Sequence, residues 1–155
     1  MHRLLLLGLI VILAAGSSGI SVVYDANEEF ADWSWEAAGT DSDELYTVVF
    51  SPEEWAALEE ELPANAGSLP EVDFGSEAAV VAYLGERPTG GYQVLVSRIA
   101  ASTQETTIEI RRRSPGEHEM VTQAFTYPID VVILPREIFA NRKISFIGGQ
   151  GEIIR

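Results

Sequence analysis

The sequence predicts a mainly β domain of the α+β class, built as an antiparallel sheet or sandwich with one packed helix. About seven short apolar or alternating runs follow position 44, and clusters of turn residues separate them. Residues 51–62 carry the start signal, the spacing and the proline stop of a single helix. The chain beyond Tyr24 shows no internal repeat, so we expect one domain with one core.

The first 24 residues have the layout of a signal peptide or membrane anchor. Met1, His2 and Arg3 form a short positive region, residues 4–15 are apolar or Gly, and small residues follow. Spanning a bilayer takes about 20 apolar residues, so this shorter run favours a cleaved signal peptide. An uncleaved anchor extending through Tyr24 is the alternative. In both cases we expect residues 25–155 to lie outside the cytoplasmic membrane, secreted or held at its outer face.

Charge is distributed unevenly along the chain, whose net charge is −14. Residues 21–86 contain 17 acidic and no basic residues, whereas residues 87–155 contain nine basic and seven acidic ones. This pattern disfavours binding to nucleic acid or to anionic lipid, both of which need clustered cations. The acidic part serves solubility, or it forms a face for a basic partner or calcium.

The turn at residues 39–44 is a candidate calcium site. Asp41, Asp43 and Glu44 are carboxylates of the kind that bind calcium, but the glycine and glutamate positions of an EF-hand loop are not matched. We therefore predict no metal site.

The early elements are a strand at residues 45–50 and the helix that follows it. Ser51 is a good N-cap, Pro52 suits the first helical position and Glu54 completes a capping box. The apolar residues that recur at helical spacing form the predicted buried stripe, Trp55, Leu58 and Leu62. Upstream, Trp33 and Trp35 are assigned to packing of the core or of a covering segment.

Residues 85–92 stand between two apolar runs, 78–84 and 92–99. Pro88 fixes its own φ angle, and Gly90 and Gly91 permit positive φ angles. Two strand-like runs joined in this way predict a β-hairpin with an exposed turn.

The rest of the chain predicts four more strands, at residues 106–113, 120–125, 129–134 and 143–147. In the first of them Ile108 and Ile110 point inward, and the triplet 111–113 is interpreted as edge charges that oppose aggregation. The run at 129–134 is apolar on both faces, which favours an inner strand.

The residue types that most enzymes use are scarce. The chain has no cysteine, and His118 is the only histidine outside the leader. Nucleophile-elbow, phosphate-loop, dinucleotide and zinc patterns are absent. We therefore expect no enzyme activity, no catalytic residue and no cofactor. The alternatives from other classes are a hydrolase that uses a pair of acidic side chains and a structural envelope domain.

Several motifs, taken in order, resemble the PrcB C-terminal domain family over about residues 72–136. They are Asp73-Phe74, Val80-Val81, the stretch 85–92, Val121-Thr122-Gln123, Thr126-Tyr127-Pro128, Val131-Val132 and Pro135. Members of that family are exported bacterial domains named for a subunit that an extracellular protease complex needs for its stability. The resemblance implies a non-catalytic, protein-binding module with a protease or protease complex as its partner.

A second likeness concerns residues 87–92 alone. They are similar to the Asn-Pro-Thr-Thr-Gly-Tyr loop of chagasin-type inhibitors of cysteine proteases. Pro88, Thr89, Gly91 and Tyr92 match that loop, while Arg87 and Gly90 depart from it. An extracellular protease inhibitor that uses this loop is therefore the alternative function.

The physical chemistry of residues 87–92 fits either of these functions. A fixed proline and adjacent glycines present side chains with little entropy to lose on binding. The predicted contact residues are Arg87, Pro88, Thr89, Gly90, Gly91 and Tyr92. The alternative is that Tyr92 packs in the core and that the stretch only connects strands.

Overall fold

The computed structural model describes residues 19–26, 36–37, 43–148 and 151–155. This part of the chain contains one α-helix and eight strands: β1 (Ser21–Asp25), β2 (Glu36–Ala37), β3 (Leu45–Val49), α1 (Pro52–Glu61), β4 (Glu77–Tyr83), β5 (Gln93–Ala101), β6 (Glu105–Arg113), β7 (Ile129–Pro135) and β8 (Lys143–Ile147). The predicted fold class, mainly β with one helix, is confirmed.

The strands form two sheets. In the first, the order is β1-β5-β6-β2, and β8 lies parallel to β6 along residues 105–109. In the second, the order is β3-β4-β7 and all pairs are antiparallel. Parallel pairing of β6 and β8 requires a long connection, which the loop 114–128, strand β7 and the turn after it provide.

Strand β4 joins the two layers of the core. Residues 78–82 are all fully buried. Alternate side chains of a strand face opposite sides of the sheet, so both faces of β4 are covered. Ala78, Val80 and Ala82 pack against the first sheet, in a cluster with Val96 and Ile108. The opposite side chains of β4 pack beneath the helix. The second sheet is therefore the middle layer of three.

Helix α1 covers the outer face of this middle layer. The Ser51 hydroxyl accepts a hydrogen bond from the Glu54 N–H at 3.2 Å, and the Glu54 carboxylate accepts one from the Phe50 N–H at 3.0 Å. Trp55 and Leu58 are buried and Leu62 is half-buried. The predicted cap and apolar stripe are confirmed.

The predicted β-hairpin at residues 78–99 is wrong. Strand β4 pairs with β3 and β7, whereas β5 pairs with β1 and β6. Residues 85–92, which we name the crossover segment, therefore carry the chain from one sheet to the other. A β-hairpin and a crossover between sheets both show an apolar run followed by turn residues. This pattern does not specify which strands pair, so it does not distinguish the two connections.

Two further strand assignments are corrected. Residues 120–125 form no strand; they belong to the long loop, residues 114–128, which joins β6 to β7. Strand β7 lies at the end of its sheet rather than inside it. It is apolar on both faces because the helix packs on one side and the first sheet on the other. An apolar pattern does not distinguish such a covered end strand from an inner strand.

Strand β6 is an inner strand of the first sheet, so the edge-charge interpretation of its three arginines is wrong. Each guanidinium instead has a carboxylate partner. Arg111 pairs with Glu109 at 2.8 Å, and the partners of Arg112 and Arg113 lie at the site described below. Ile108 and Ile110 point inward as predicted and are fully buried.

Several predictions at the N-terminus lie outside the described residues. They are the leader up to residue 18, Trp33, Trp35 and Asp41. Residues 21–24, which the anchor alternative includes, form most of β1 and pair with β5. Within the part of the chain that the structure describes, no helix is long and apolar enough to cross a membrane.

Candidate functional site

The crossover segment leaves β4 through a buried glycine. Gly85 has a φ angle of 78°, a region that favours glycine. A Cβ atom placed there would lie 2.7 Å from the backbone oxygen of Asp43. Glycine is therefore required both by the conformation and by the close approach of the turn before β3. This turn also brings Glu44 to the site.

Arg87 and Thr126 join the crossover segment to the long loop. Their backbones exchange two hydrogen bonds, of 2.8 Å from the Arg87 N–H and 2.9 Å from the Thr126 N–H. The Thr126 hydroxyl adds a third bond by donating to the Thr89 carbonyl oxygen at 2.7 Å. The two segments therefore lie side by side as a short irregular ribbon.

The two adjacent glycines of the crossover segment lie under the long loop. The Gly90 N–H donates to the Thr122 carbonyl oxygen at 2.9 Å. Gly91 has a φ angle of 85°, and a Cβ atom there would lie 2.8 Å from both Pro115 and Val121. The glycine pair thus allows the long loop to pack closely, rather than giving flexibility to a free turn.

A buried carboxylate holds Arg87 from the other side. One oxygen of Glu44 lies 3.0 Å from the Arg87 guanidinium and 2.8 Å from that of Arg112. The Glu44 side chain is 1% exposed, against 18% for Arg87 and 27% for Arg112. This cluster ties together the turn before β3, the crossover segment and β6, so both sheets are linked at the site.

Tyr46 completes the Glu44 cluster. Its hydroxyl donates to the second carboxylate oxygen of Glu44 at 2.6 Å. Burial raises the pKa of Tyr46 far above its usual value, and the adjacent Glu44 carboxylate, through the hydrogen bond and its charge, raises it further. The Arg112 and Arg87 charges oppose this shift but are smaller causes. Tyr46 therefore stays neutral and remains a hydrogen-bond donor.

Arg113 connects the crossover segment to the long loop a second time. Its guanidinium donates to the Gly91 carbonyl oxygen at 3.1 Å and pairs with the Glu119 carboxylate at 2.6 Å. The hydrogen bond from Arg113, and a second from the Gly116 N–H, hold the pKa of the Glu119 carboxyl below its usual value. The long loop is thus fixed at Glu119 as well as at Thr122 and Thr126.

The predicted contact residues lie together but are less exposed than a hairpin turn would be. Only Pro88 is exposed; the other five residues of 87–92 are half-buried. The Arg87 guanidinium lies over the Tyr92 ring, 5.9 Å from its centroid. The inhibitor alternative, which uses these same residues, stays a prediction.

Sequence reasoning missed two features of the site. One is the ion cluster, for which the signal was available: Arg112 shares strand parity with the inward-facing Ile108 and Ile110, so its side chain points to the core face. The other is the exposure of Met120 (99%) and Phe125 (60%) on the long loop. Their apolar character is the reason that the sequence predicts a strand at residues 120–125.

The candidate metal ligands are the carboxylates and the histidine among the residues that the structure describes. No group of three His, Cys, Asp or Glu side chains there is arranged to hold a metal ion. Glu44, one of the carboxylates that suggested calcium, is engaged by two arginines, and His118 lies exposed on the long loop.

The comparison with family models finds one family in this region. The model described as PrcB C-terminal matches residues 78–135. Residues 78–135 are therefore similar to the PrcB C-terminal family, as the sequence motifs predicted. The matched part runs from β4 to β7 and contains the crossover segment and the long loop, whereas Glu44 and helix α1 precede it. No curated protein and no solved structure matches the chain.

Proposed function

We propose that this chain is an exported, non-catalytic module that binds an extracellular protease or a protease complex, with residues 87–92 in the contact surface. The PrcB C-terminal match carries the proposal, because it covers the crossover segment and the long loop as one unit. A role in protease-complex stability follows from the family's name-giving member.

The shape of the site supports a binding role. The long loop exposes two large apolar side chains, Met120 and Phe125, and is hydrogen-bonded to the crossover segment, in which Pro88 is exposed. Methionine and aromatic residues are enriched at protein interfaces. Extensive backbone hydrogen bonding between the crossover segment and the long loop fixes their conformation, which lowers the entropy lost on binding.

The non-catalytic part of the proposal rests on composition. A chain without cysteine and with one histidine outside its leader has few groups able to act as nucleophile or base near neutral pH. The arginines and glutamates at the site are paired with one another. They therefore support the fold of the contact surface.

The test is affinity purification of the full chain from the secreted and envelope fractions of its native host. Pro88→Glu places a charge on the exposed residue of the crossover segment, and Ala57→Glu places the same charge on the exposed face of α1. We expect a peptidase to copurify with the wild type and with Ala57→Glu, and its recovery to fall at least tenfold with Pro88→Glu. Thermal melting checks that each variant is folded.

Two results contradict the proposal in different ways. If no peptidase copurifies with the wild type, the protease-binding function is wrong. If recovery is equal for Pro88→Glu and Ala57→Glu, the function stands but the contact surface lies elsewhere. Loss of the chain in the host should also shorten the lifetime of the copurified peptidase, as measured by pulse labelling.

A further inference from the structure

Met120 carries the only sulfur atom of the chain outside the leader. The sequence has no cysteine, and its other methionine is Met1. The Met120 side chain is 99% exposed, the highest value among the large apolar side chains that the structure describes. Methionine oxidation to the sulfoxide is a common oxidative change in proteins, and an exposed thioether is open to it. Because no thiol competes, an oxidant that reaches the domain meets this sulfur first.

On the N-terminal side of Met120, Glu119 is held by three hydrogen bonds. Its carboxylate accepts from Arg113 at 2.6 Å and from the Gly116 N–H at 3.2 Å, and its own N–H donates to the Gly116 carbonyl oxygen at 3.0 Å. Arg113 in turn donates to Gly91 of the crossover segment. The backbone entering Met120 is therefore anchored to β6.

On the C-terminal side, Val121 and Thr122 are held by the crossover segment. Val121 is half-buried and lies so close to Gly91 that a Cβ atom on this glycine would be 2.8 Å from it. The Thr122 carbonyl oxygen accepts from the Gly90 N–H at 2.9 Å. The fold thus fixes the backbone on both sides of Met120 and leaves its sulfur uncovered.

We propose that Met120 is a site of reversible oxidation by hydrogen peroxide, and that its oxidation weakens partner binding at the long loop. This inference rests on the proposed function, which places the contact surface at the crossover segment and the loop packed on it. The sulfur lone pair attacks one peroxide oxygen, the O–O bond breaks and an S–O bond forms. The second oxygen leaves as water with both peroxide protons, so the sulfur loses two electrons and the peroxide gains them. Methionine sulfoxide reductases reverse the change.

The exposure of Met120 confines the effect of oxidation to the surface. A sulfoxide replaces a flexible apolar side chain by a polar one, which disrupts a core or a methionine-containing interface. Here the added oxygen stays in water, because the side chain is 99% exposed and contributes nothing to the core. Oxidation therefore changes the surface that a partner meets while the domain stays folded.

The first experiment measures how fast the sulfur is oxidised. The full chain is treated with hydrogen peroxide, and the sulfoxide is quantified by mass spectrometry of the tryptic fragment 114–136, in which Met120 is the only methionine. The references are the same chain in guanidinium chloride and N-acetylmethionine amide. We expect the three rates to agree within twofold and the thermal midpoint to be the same before and after oxidation. A rate at least fivefold slower in the folded chain, or a lowered midpoint, would overturn the site.

The second experiment measures the effect of oxidation on binding. The native affinity purification is repeated with the untreated wild type, with the wild type after peroxide treatment and removal of peroxide by catalase, and with the oxidised protein after enzymatic reduction of the sulfoxide. We expect peptidase recovery to fall at least threefold on oxidation and to return on reduction.

Two variants of Met120 separate the sulfur from other oxidised groups. Met120→Leu keeps an apolar side chain without sulfur, so its recovery of the peptidase should be the same before and after peroxide. Met120→Gln is polar and of similar length, so it should show the lowered recovery without peroxide. A loss with peroxide-treated Met120→Leu equal to that of the wild type would place the sensitive group elsewhere and overturn the inference.

Failure of this inference can be separated from failure of the proposed function. Equal recovery with oxidised and untreated wild type would overturn control by Met120 and leave the proposed function standing. If no peptidase copurifies with the untreated wild type, the proposed function is wrong and control of that binding falls with it. The oxidation rates still decide whether Met120 is the modified site.

Discussion

Glu44 is the residue on which the geometry of the site depends most. Its carboxylate, 1% exposed, accepts from two guanidinium groups and from the Tyr46 hydroxyl. Removing one member of a buried ion cluster is strongly destabilising, because the remaining charges stay desolvated without a partner. The two arginines here are partly exposed to water. We therefore expect replacement of Glu44 to cost less stability than the loss of one partner from a fully buried pair.

We predict that Glu44→Gln lowers the free energy of unfolding by about 2 kcal/mol, measured by urea denaturation. The control is Arg98→Gln, which removes a 3.9 Å pair with Asp25 in which both side chains are nearly half exposed. An exposed pair contributes about 0–1 kcal/mol, so this variant should change little. Equal losses for the two variants would contradict the assigned role of Glu44.

Residue-level chemistry was only partly readable from the sequence. The helix cap at Ser51 was predicted correctly, because its partners lie within three residues along the chain. The cluster of Glu44 with Arg87 and Arg112 joins residues 43 and 68 positions apart, and no local pattern specifies such a contact. The alternation of side chains along β6 indicated that Arg112 points to the core face. It did not indicate that Glu44 is its partner.

At the scale of elements, the crossover segment and the long loop form one structural unit, because each restricts the backbone conformation of the other. Gly91 is the point of closest approach, with a φ angle of 85° and no room for a Cβ atom between Pro115 and Val121. A residue other than glycine in this conformation costs about 1–2 kcal/mol before any steric contact is counted.

We predict that Gly91→Ala lowers the free energy of unfolding by about 2 kcal/mol and speeds amide hydrogen exchange across the long loop. The displaced loop loses the hydrogen bond between the Gly90 N–H and Thr122. Gly116→Ala is the control in the same loop, since a Cβ atom there meets nothing within 4 Å. If exchange in the loop is unchanged in a folded Gly91→Ala variant, the two segments are not coupled.

The same pair of elements shows why the predicted hairpin was wrong. A hairpin and a crossover between sheets both need turn residues between two apolar runs. What separates them is the partner of each strand: residues of β4 pair with residues at least 30 positions earlier, in β3, and at least 46 positions later, in β7. The apolar residues at 120–125 misled for a related reason: Val121 packs inward while Met120 and Phe125 face solvent.

Over the whole molecule, folding brings the acidic and basic parts of the chain together. Seventeen of the 24 acidic residues precede position 87, and every basic residue except Arg3 lies at or after it. Glu44 meets Arg87 and Arg112, and Asp25 meets Arg98. The sequence showed the asymmetry but not this pairing, since the contacts depend on how the two sheets stack.

The pH dependence of stability provides a test at this scale. The chain has five tyrosines and a single lysine, so few other side chains titrate near pH 10–11. Burial, followed by the Glu44 hydrogen bond and charge, raises the pKa of Tyr46 in the folded protein. Above pH 10 the unfolded state releases this proton and the folded state keeps it. The unfolded state then binds fewer protons, so stability falls as the pH rises.

We predict that Tyr46→Phe is less stable than the wild type at pH 9, because Glu44 loses a hydrogen-bond donor. Above pH 10 the difference should shrink by about 1.4 kcal/mol per pH unit, since only the wild type carries the titrating group. Urea denaturation at intervals from pH 9 to 11.5 measures both curves. Curves that stay parallel above pH 10 would mean that Tyr46 titrates alike in both states, and hence that the Glu44 cluster is open to water.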